Sequence, residues 1–310
     1  MALFALAGCT SPSVTPPIDK VEVAEATIKP APLMTWGDLT SRPKPDSSDA
    51  VTYGNSASEI VDIWIPDGKG PHPVVIMVHG GCWQKSIADR SLMDYAAEAL
   101  RREGIAVWNI EYRGVDEAGG GYPGTYLDVA RAADLLAENA LYYELDMSRI
   151  AGFGHSAGGH LVTWLAGRKN LPPGSALYTQ PKIEVIGVVN SGGLADLEAS
   201  EPLTLPSCLA AIKDQLTGAP TDGRPDVMAE TSSDRLLPTG LVIHSVNGAR
   251  DRIAPPELGE GFTAKARAAG DKAQTHIIAD EGHVELIAPG TAAFDKQIEI
   301  LKEMLGVDGK

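Results

Sequence analysis

Ser156 stands at the centre of the run GFGHSAGG, residues 152–159, which contains the pattern G-x-S-x-G. Residues 149–153 have the pattern of a short buried strand and residues 160–167 have helical apolar spacing, so the serine falls at a strand-to-helix turn. A tight turn of this kind strains its central residue and exposes its hydroxyl, and the flanking glycines lack the Cβ atoms that would clash. The pattern therefore predicts a nucleophilic serine rather than an ordinary loop.

A nucleophilic serine needs a general base and an acid that orients the base. Among the seven histidines, His283 follows the last predicted strand in a loop opened by a glycine, so it is the predicted base. Asp251 follows the predicted strand at residues 241–246, at the same sheet edge, and is the predicted acid. Asp280 and Glu281 are nearer to the histidine in sequence, but we expect them to be too near to fold back onto its ring.

The run HGGCWQ, residues 79–84, directly follows the most apolar stretch of the chain. A tetrahedral intermediate of acyl transfer needs backbone N–H donors, and paired glycines let the main chain approach it closely. We predict that the N–H groups of Gly81, Cys82 and Ala157 form this oxyanion hole. The alternative is a plain Gly-Gly turn that ends a strand.

Strand and helix patterns alternate along the chain, which predicts a mostly parallel sheet with helices on both faces. Ligands of such sheets bind at the carboxyl ends of the strands, where the predicted serine, acid and base all lie. Residues 195–238 show poor periodicity, so we expect a small cap insertion there. The predicted strands are residues 59–66, 73–79, 105–112, 149–153, 183–189, 241–246 and 275–278, and the predicted helices are residues 89–102, 126–140, 160–167, 256–269 and 291–305.

The chain order of serine, acid and base, with the His-Gly-Gly loop, resembles the α/β-hydrolase superfamily over about residues 59–305. Within it, HGGCWQ and GHSAGGH are similar to the branch that contains hormone-sensitive lipase, prolyl-oligopeptidase-like esterases and kynurenine formamidases. Cys82 stands where that branch has the third glycine of an HGGG run, but only its N–H is needed. The resemblance implies a nucleophile at Ser156, a base at His283, an acid at Asp251 and oxyanion donors at Gly81, Cys82 and Ala157.

These residues predict a serine carboxylesterase that acts through an acyl-enzyme, without a cofactor or a metal site. Trp83 follows the oxyanion loop, so we expect its ring at the wall of the acyl pocket, with packing in the core as the alternative. A short pocket would favour acetyl to butyryl esters. Two other functions remain open: an arylformamidase that uses the same residues, and a non-catalytic binding protein on the same fold.

Composition limits the partners of the chain. The 310 residues carry a net charge of -15 and no basic run, which argues against nucleic acid because its binding depends on cationic contacts with phosphates. We expect a small-molecule ester as the partner, and the sequence leaves the oligomeric state open. The predicted hydrolase domain spans residues 51–310, after a Pro-rich tether and lead-in at residues 10–50.

The N-terminal run ends in Leu-Ala-Gly-Cys at Cys9, which resembles a bacterial lipobox. It predicts a truncated lipoprotein signal at residues 1–9, lipidation of Cys9 and an exported protein, periplasmic or anchored to a membrane. The run has no Lys or Arg, so a cytoplasmic protein is the alternative. In an oxidising compartment Cys82 and Cys208 form a disulfide candidate that would tie the cap to the oxyanion loop; two independent thiols are the alternative.

Overall fold

The computed structural model describes residue 1 and residues 31–307. Within these residues one eight-stranded sheet is flanked by helices. The strands are β1 Asp49–Thr52, β2 Ile60–Trp64, β3 His72–Val78, β4 Ala106–Ile110, β5 Leu145–His155, β6 Gly187–Ser191, β7 Val242–Gly248 and β8 Lys272–Ile278. The helices are α1 Trp36–Thr40, α2 Asp94–Arg102, α3 Gly124–Asn139, α4 Ala157–Gly167, α5 Leu197–Ser200, α6 Leu209–Thr217, α7 Met228–Thr231, α8 Pro256–Ala269 and α9 Ala292–Leu305.

The strand order is β1-β2-β4-β3-β5-β6-β7-β8. β2 pairs antiparallel with both β1 and β4, and the remaining neighbours are parallel. Parallel neighbours require crossover connections, which the intervening helices supply. The predicted mostly parallel sheet with helices on both faces is confirmed.

β3 shows how the sheet divides the core. All seven of its residues are buried, as expected of a central strand covered on both faces. Val74 and Ile76 join the apolar cluster that also contains residues of α3, α4 and α8. Val75 and Met77 join the cluster on the other face, with residues of α2 and α9. Successive side chains point to opposite faces, so one apolar strand contributes to both halves of the core.

The carboxyl ends of β3, β5, β7 and β8 meet at one edge of the sheet, and the predicted functional residues follow them. The interval between β6 and β7 contains α5, α6 and α7 and no sheet strand. This interval includes residues 195–238, where the sequence predicts the cap. Lys265 on α8 binds two residues of this region, with Nζ 2.5 Å from Asp196 Oδ2 and 2.8 Å from Asp234 Oδ2.

The beginning of the domain differs from the predicted boundary at residue 51. The compact unit begins at Pro32 and includes α1 and β1. The α1 helix begins with a capping box, in which Thr35 and Asp38 each accept a hydrogen bond from the other's backbone N–H. The helix has five residues and buries only Leu39, so it is too short to produce a helical pattern in the sequence.

The predicted lipoprotein signal, residues 1–9 with Cys9, lies outside the described residues apart from Met1. Across residues 31–307, no helix has the length and apolar character needed to span a bilayer.

Candidate active site

Ser156 occupies the turn between β5 and α4, with backbone angles φ 55° and ψ -121°. A positive φ is costly for a residue with a Cβ, so the surrounding fold must hold the serine in this conformation. A Cβ on Gly154 would lie 2.1 Å from the carbonyl oxygen of Gly158, and a Cβ on Gly158 would lie 2.1 Å from that of Val78. Glycine is therefore needed at both positions, because the backbone of α4 approaches Gly154 and the backbone of β3 approaches Gly158.

Asp251 and His283 form a buried pair. The distance from Asp251 Oδ2 to His283 Nδ1 is 2.6 Å. The other carboxylate oxygen of Asp251 accepts hydrogen bonds from the backbone N–H groups of Ile253, at 2.8 Å, and Ala254, at 2.9 Å. These bonds fix the orientation of the carboxylate, and the carboxylate in turn fixes the orientation of the imidazole. Nε2 of His283 is then the nitrogen that can accept a proton.

The two other candidate acids are directed elsewhere. Glu281 accepts hydrogen bonds from the backbone N–H groups of Ala292, at 2.8 Å, and Ala293, at 2.6 Å, at the start of α9. A carboxylate is favoured there by the unpaired N–H groups and the helix dipole. Asp280 is exposed, with a φ of 62°. Of the three acidic candidates, Asp251 alone binds the ring of His283.

The predicted oxyanion loop turns sharply after β3. Gly81 and Cys82 have φ angles of 114° and 52°, and their backbone N–H groups have no hydrogen-bond partner among residues 31–307. Ala157 is the first residue of α4. The first backbone N–H groups of a helix have no hydrogen-bond partner within the helix. A Cβ on Gly80 would lie 3.0 Å from the Cβ of Ser156, so the loop packs directly against the serine.

A buried ionic network holds this loop. His79 Nδ1 lies 2.6 Å from the carbonyl oxygen of Gly80, and its Nε2 lies 2.8 Å from Glu111 Oε1. The imidazole stacks on Tyr112, with 4.4 Å between ring centroids, and Lys85 Nζ lies 2.6 Å from Glu111 Oε2. Burial opposes ionisation of Glu111, but the charge of His79 and hydrogen bonds from His79 and Lys85 outweigh it and lower the pKa of Glu111 to about 2.

Glu111 is not among the functional residues that the sequence predicts. The sequence does contain a signal for it, because it is the one charged residue in the predicted strand at residues 105–112. A buried carboxylate requires a partner, and the adjoining strand ends in a histidine.

Ser156 and His283 open into one cavity of about 470 Å³, a size typical of small-molecule sites. Its walls are mostly apolar, and among the described residues that line it none is an Asp, Glu, Lys or Arg. The lining residues are Trp36, Thr40, Gly81, Cys82, Ile87, Ala88, Leu92, His155, Ser156, Leu205, Ser207, Ile253 and His283.

Trp83 is not among these lining residues, so the prediction that its ring forms the acyl-pocket wall is wrong. Its side chain is completely buried in the core, and its Nε1 donates a hydrogen bond to His160 Nδ1 at 3.2 Å. Cys82 and Trp83 both have a positive φ, which turns the chain back toward the sheet and places the indole in the core. Trp36 lines the cavity instead. Sequence reasoning missed Trp36, since an exposed residue in an irregular stretch carries no pattern.

The structure pairs Cys82 with Cys208 in a disulfide. Cys208 immediately precedes α6, so the bond joins the oxyanion loop to the cap across 126 residues of sequence. The proposed pairing of the two cysteines is confirmed, and the alternative of two independent thiols is not. Leu205 and Ser207, beside the bridged cysteine, form part of the cavity wall.

Residues 31–307 contain no group of three His, Cys, Asp or Glu side chains arranged to hold a metal ion. The half-buried pair His244 and His276, with 3.0 Å between Nδ1 and Nε2, is not part of such a group. Burial lowers the pKa of both imidazoles.

Comparison with known proteins places the chain in a family. The sequence model of the BD-FAE family matches residues 61–265. Human carboxylesterase 3 is 31% identical over 141 residues, which are 43% of this chain and 23% of that protein. The probable carboxylic ester hydrolase LipM of Mycobacterium tuberculosis is 27% identical over 228 residues, which are 70% of this chain and 51% of that protein. The chain thus spans about half or less of the length of these curated relatives.

A truncated carbohydrate esterase from the gut microbiota has a similar structure, with a TM-score of 0.70. The two chains are 24% identical, and the match covers 84% of this chain and 97% of that one. At this identity the likeness concerns the fold. The family match and the sheet topology together show that the chain belongs to the BD-FAE family and has the α/β-hydrolase fold.

Proposed function

We propose that the protein is a serine hydrolase that cleaves carboxylic esters through an acyl-enzyme. The observation that carries this proposal is that three loops bring their side chains together at one cavity. The strained Ser156 and the imidazole of His283 both line the cavity, and Asp251 binds Nδ1 of that imidazole. The names of the curated relatives, a carboxylesterase and a probable carboxylic ester hydrolase, support the same activity.

The proposed reaction uses this placement of the three side chains. His283 Nε2 accepts the proton of Ser156 Oγ as the oxygen attacks the ester carbonyl carbon. The negative oxygen of the tetrahedral intermediate accepts hydrogen bonds from the free N–H groups of the oxyanion loop and of Ala157. The imidazolium, stabilised by Asp251, then gives its proton to the leaving alkoxide. Water attacks the acyl-enzyme with His283 again as the base, which releases the acid and restores Ser156.

We further propose a preference for short acyl groups. The cavity of about 470 Å³ must hold both the acyl and the alcohol portions of the substrate, so its size limits the length of the acyl chain. Each buried methylene contributes about 0.8 kcal/mol, so kcat/KM should rise over the first few acyl carbons and fall once the cavity is full. The optimum is expected between acetyl and butyryl esters.

A panel of esters with graded acyl length, with N-formylkynurenine as a further substrate, tests the reaction class. The expected result is hydrolysis of short esters by the wild type and a loss of several orders of magnitude in Ser156→Ala. Hydrolysis within tenfold of wild type in the variant would contradict the serine mechanism. An optimum at ten carbons or more would contradict the short-chain preference, and faster cleavage of N-formylkynurenine than of any ester would favour the arylformamidase.

We also propose that the protein is exported and anchored through a lipid on Cys9. The Cys82–Cys208 disulfide supports an oxidising compartment. When the full gene, with any upstream codons, is expressed in a bacterial host, the protein is expected in the membrane fraction, and Cys9→Ser is expected to release it. Cytoplasmic protein in both cases would refute the proposal.

A further inference from the structure

Residues 32–42 precede the segment shared with the family, which begins at residue 61. Two hydrogen bonds nevertheless tie them to the loop after β8. Met34 N–H donates to Glu285 Oε1 at 2.5 Å, and Arg42 Nη1 donates to the carbonyl oxygen of Pro289 at 3.0 Å. Since the same loop carries the general base, α1 is held beside the reaction centre.

Trp36, the first residue of α1, contacts the catalytic imidazole. Its ring centroid lies 6.1 Å from that of His283 and 6.1 Å from that of His155, with interplanar angles of 86° and 75°. The residue lines the cavity and remains 38% exposed. It is the one accessible tryptophan of the five in the sequence, because the others are completely buried: Trp64, Trp83, Trp108 and Trp164.

The position of Trp36 identifies the half of the substrate that it meets. The carbonyl oxygen must lie at the N–H groups of Gly81 and Cys82 for the oxyanion to be stabilised. The leaving oxygen must lie at His283, since that imidazole protonates it. The alcohol portion therefore leaves past the wall beside His283, and Trp36 forms part of that wall.

We propose that Trp36 is a specificity-determining residue that contacts the alcohol portion of the ester and favours an uncharged alcohol with a flat apolar face. This inference rests on the ester hydrolysis proposed above. An indole side chain offers a large, rigid apolar surface to such a group. Ile87 and Leu205 line the same cavity and are themselves about half exposed, at 55% and 49%. A charged alcohol would lose its hydration at this mouth without gaining an oppositely charged partner among the described residues that line the cavity.

Two substrate series separate the alcohol side from the acyl side. The first compares benzyl acetate with methyl acetate, and the second compares methyl butyrate with methyl acetate. In Trp36→Ala the benzyl-to-methyl ratio of kcat/KM should fall about two- to tenfold, the range expected for one aromatic contact, and Trp36→Phe should restore part of it. The butyrate-to-acetate ratio should stay within twofold of wild type. Tyr142→Ala, which removes a 78% exposed ring just before β5 at the opposite end of the sheet, is the matched control and should change neither ratio.

An unchanged benzyl-to-methyl ratio in Trp36→Ala would overturn the proposal. A fall in the butyrate-to-acetate ratio instead would place Trp36 on the acyl side and overturn it equally.

Fluorescence quenching provides a readout that does not require turnover. In Ser156→Ala, acrylamide should quench mainly Trp36, and benzyl alcohol should protect it while methanol should not. The double variant Ser156→Ala/Trp36→Phe should lose most of the quenching. If benzyl alcohol gives no protection, the inference fails even where ester hydrolysis is found. If the wild type hydrolyses no ester, the proposed function fails, and protection by benzyl alcohol would still show that the ring binds alcohols.

Discussion

Glu111→Gln tests whether the buried network behind the oxyanion loop is ionic. The Glu111 side chain is completely buried and faces His79 on one oxygen and Lys85 on the other. Glutamine keeps the shape of the side chain and removes its charge. Two consequences are expected: a loss of stability that depends on pH, and a displacement of the loop that carries the proposed oxyanion donors.

The size of the stability effect follows from the pKa. A decrease from the ordinary value of 4.5 to about 2 corresponds to about 3 kcal/mol of stabilisation, at about 1.4 kcal/mol for each factor of ten. Because the folded-state pKa lies below the unfolded value, this stabilisation is complete above about pH 4.5 and is lost as the pH falls toward 2. Loss of one partner of a buried ion pair typically costs 3–5 kcal/mol, which is consistent with this figure.

Urea unfolding of wild type and Glu111→Gln at pH 7 and pH 3 measures the effect. The difference in unfolding free energy should be about 3 kcal/mol at pH 7 and smaller by about 2 kcal/mol at pH 3. Glu299→Gln, in an exposed pair on α9, is the matched control and should change the unfolding free energy by less than about 1 kcal/mol. A difference below 1 kcal/mol, or one that does not change with pH, would refute an ionised Glu111. At pH 7, kcat/KM of Glu111→Gln should also fall about 100-fold, as when an oxyanion donor is lost.

Three further substitutions have expected outcomes. Trp83→Ala should lower the unfolding free energy by about 3–5 kcal/mol and leave the preferred acyl length unchanged, and a shifted optimum in the ester panel would return Trp83 to the pocket. Asp251→Asn should reduce kcat on the order of 10⁴-fold while Asp280→Asn changes it little, and the reverse order would mean that the acid is Asp280. Cys208→Ser should reduce stability by about 2–4 kcal/mol and make it insensitive to dithiothreitol, and a variant as stable as the oxidised wild type would contradict a stabilising bridge.

The sheet and the positions of the three proposed catalytic residues could be predicted because their signals are local. An apolar run such as residues 73–79 identifies a central strand, and the glycines around Ser156 identify a turn that excludes Cβ atoms. Asp251 and His283 each follow a strand, and parallel strands bring their carboxyl ends to one edge. The position of each residue directly after a parallel strand is therefore enough to place Asp251 and His283 at the same edge of the sheet.

The pocket walls could not be predicted because they depend on loop paths. The position of Trp83 depends on the positive φ angles of Cys82 and Trp83. Residues with a Cβ rarely adopt this conformation, and no sequence pattern predicts it here. Trp36 lies on a five-residue helix whose position depends on Met34 and Arg42 binding a loop about 250 residues later. Contacts between segments so distant in sequence leave no periodic signal.

The most direct test of the central claim is covalent labelling by a fluorophosphonate, followed by peptide mass spectrometry. The probe reacts with a serine that is activated by a base and placed beside an oxyanion hole. One adduct per chain is expected, on Ser156, and labelling should be lost in His283→Ala although circular dichroism shows that the variant is folded. An adduct on another residue, or equal labelling of the folded His283→Ala variant, would contradict a catalytic Ser156–His283–Asp251 triad.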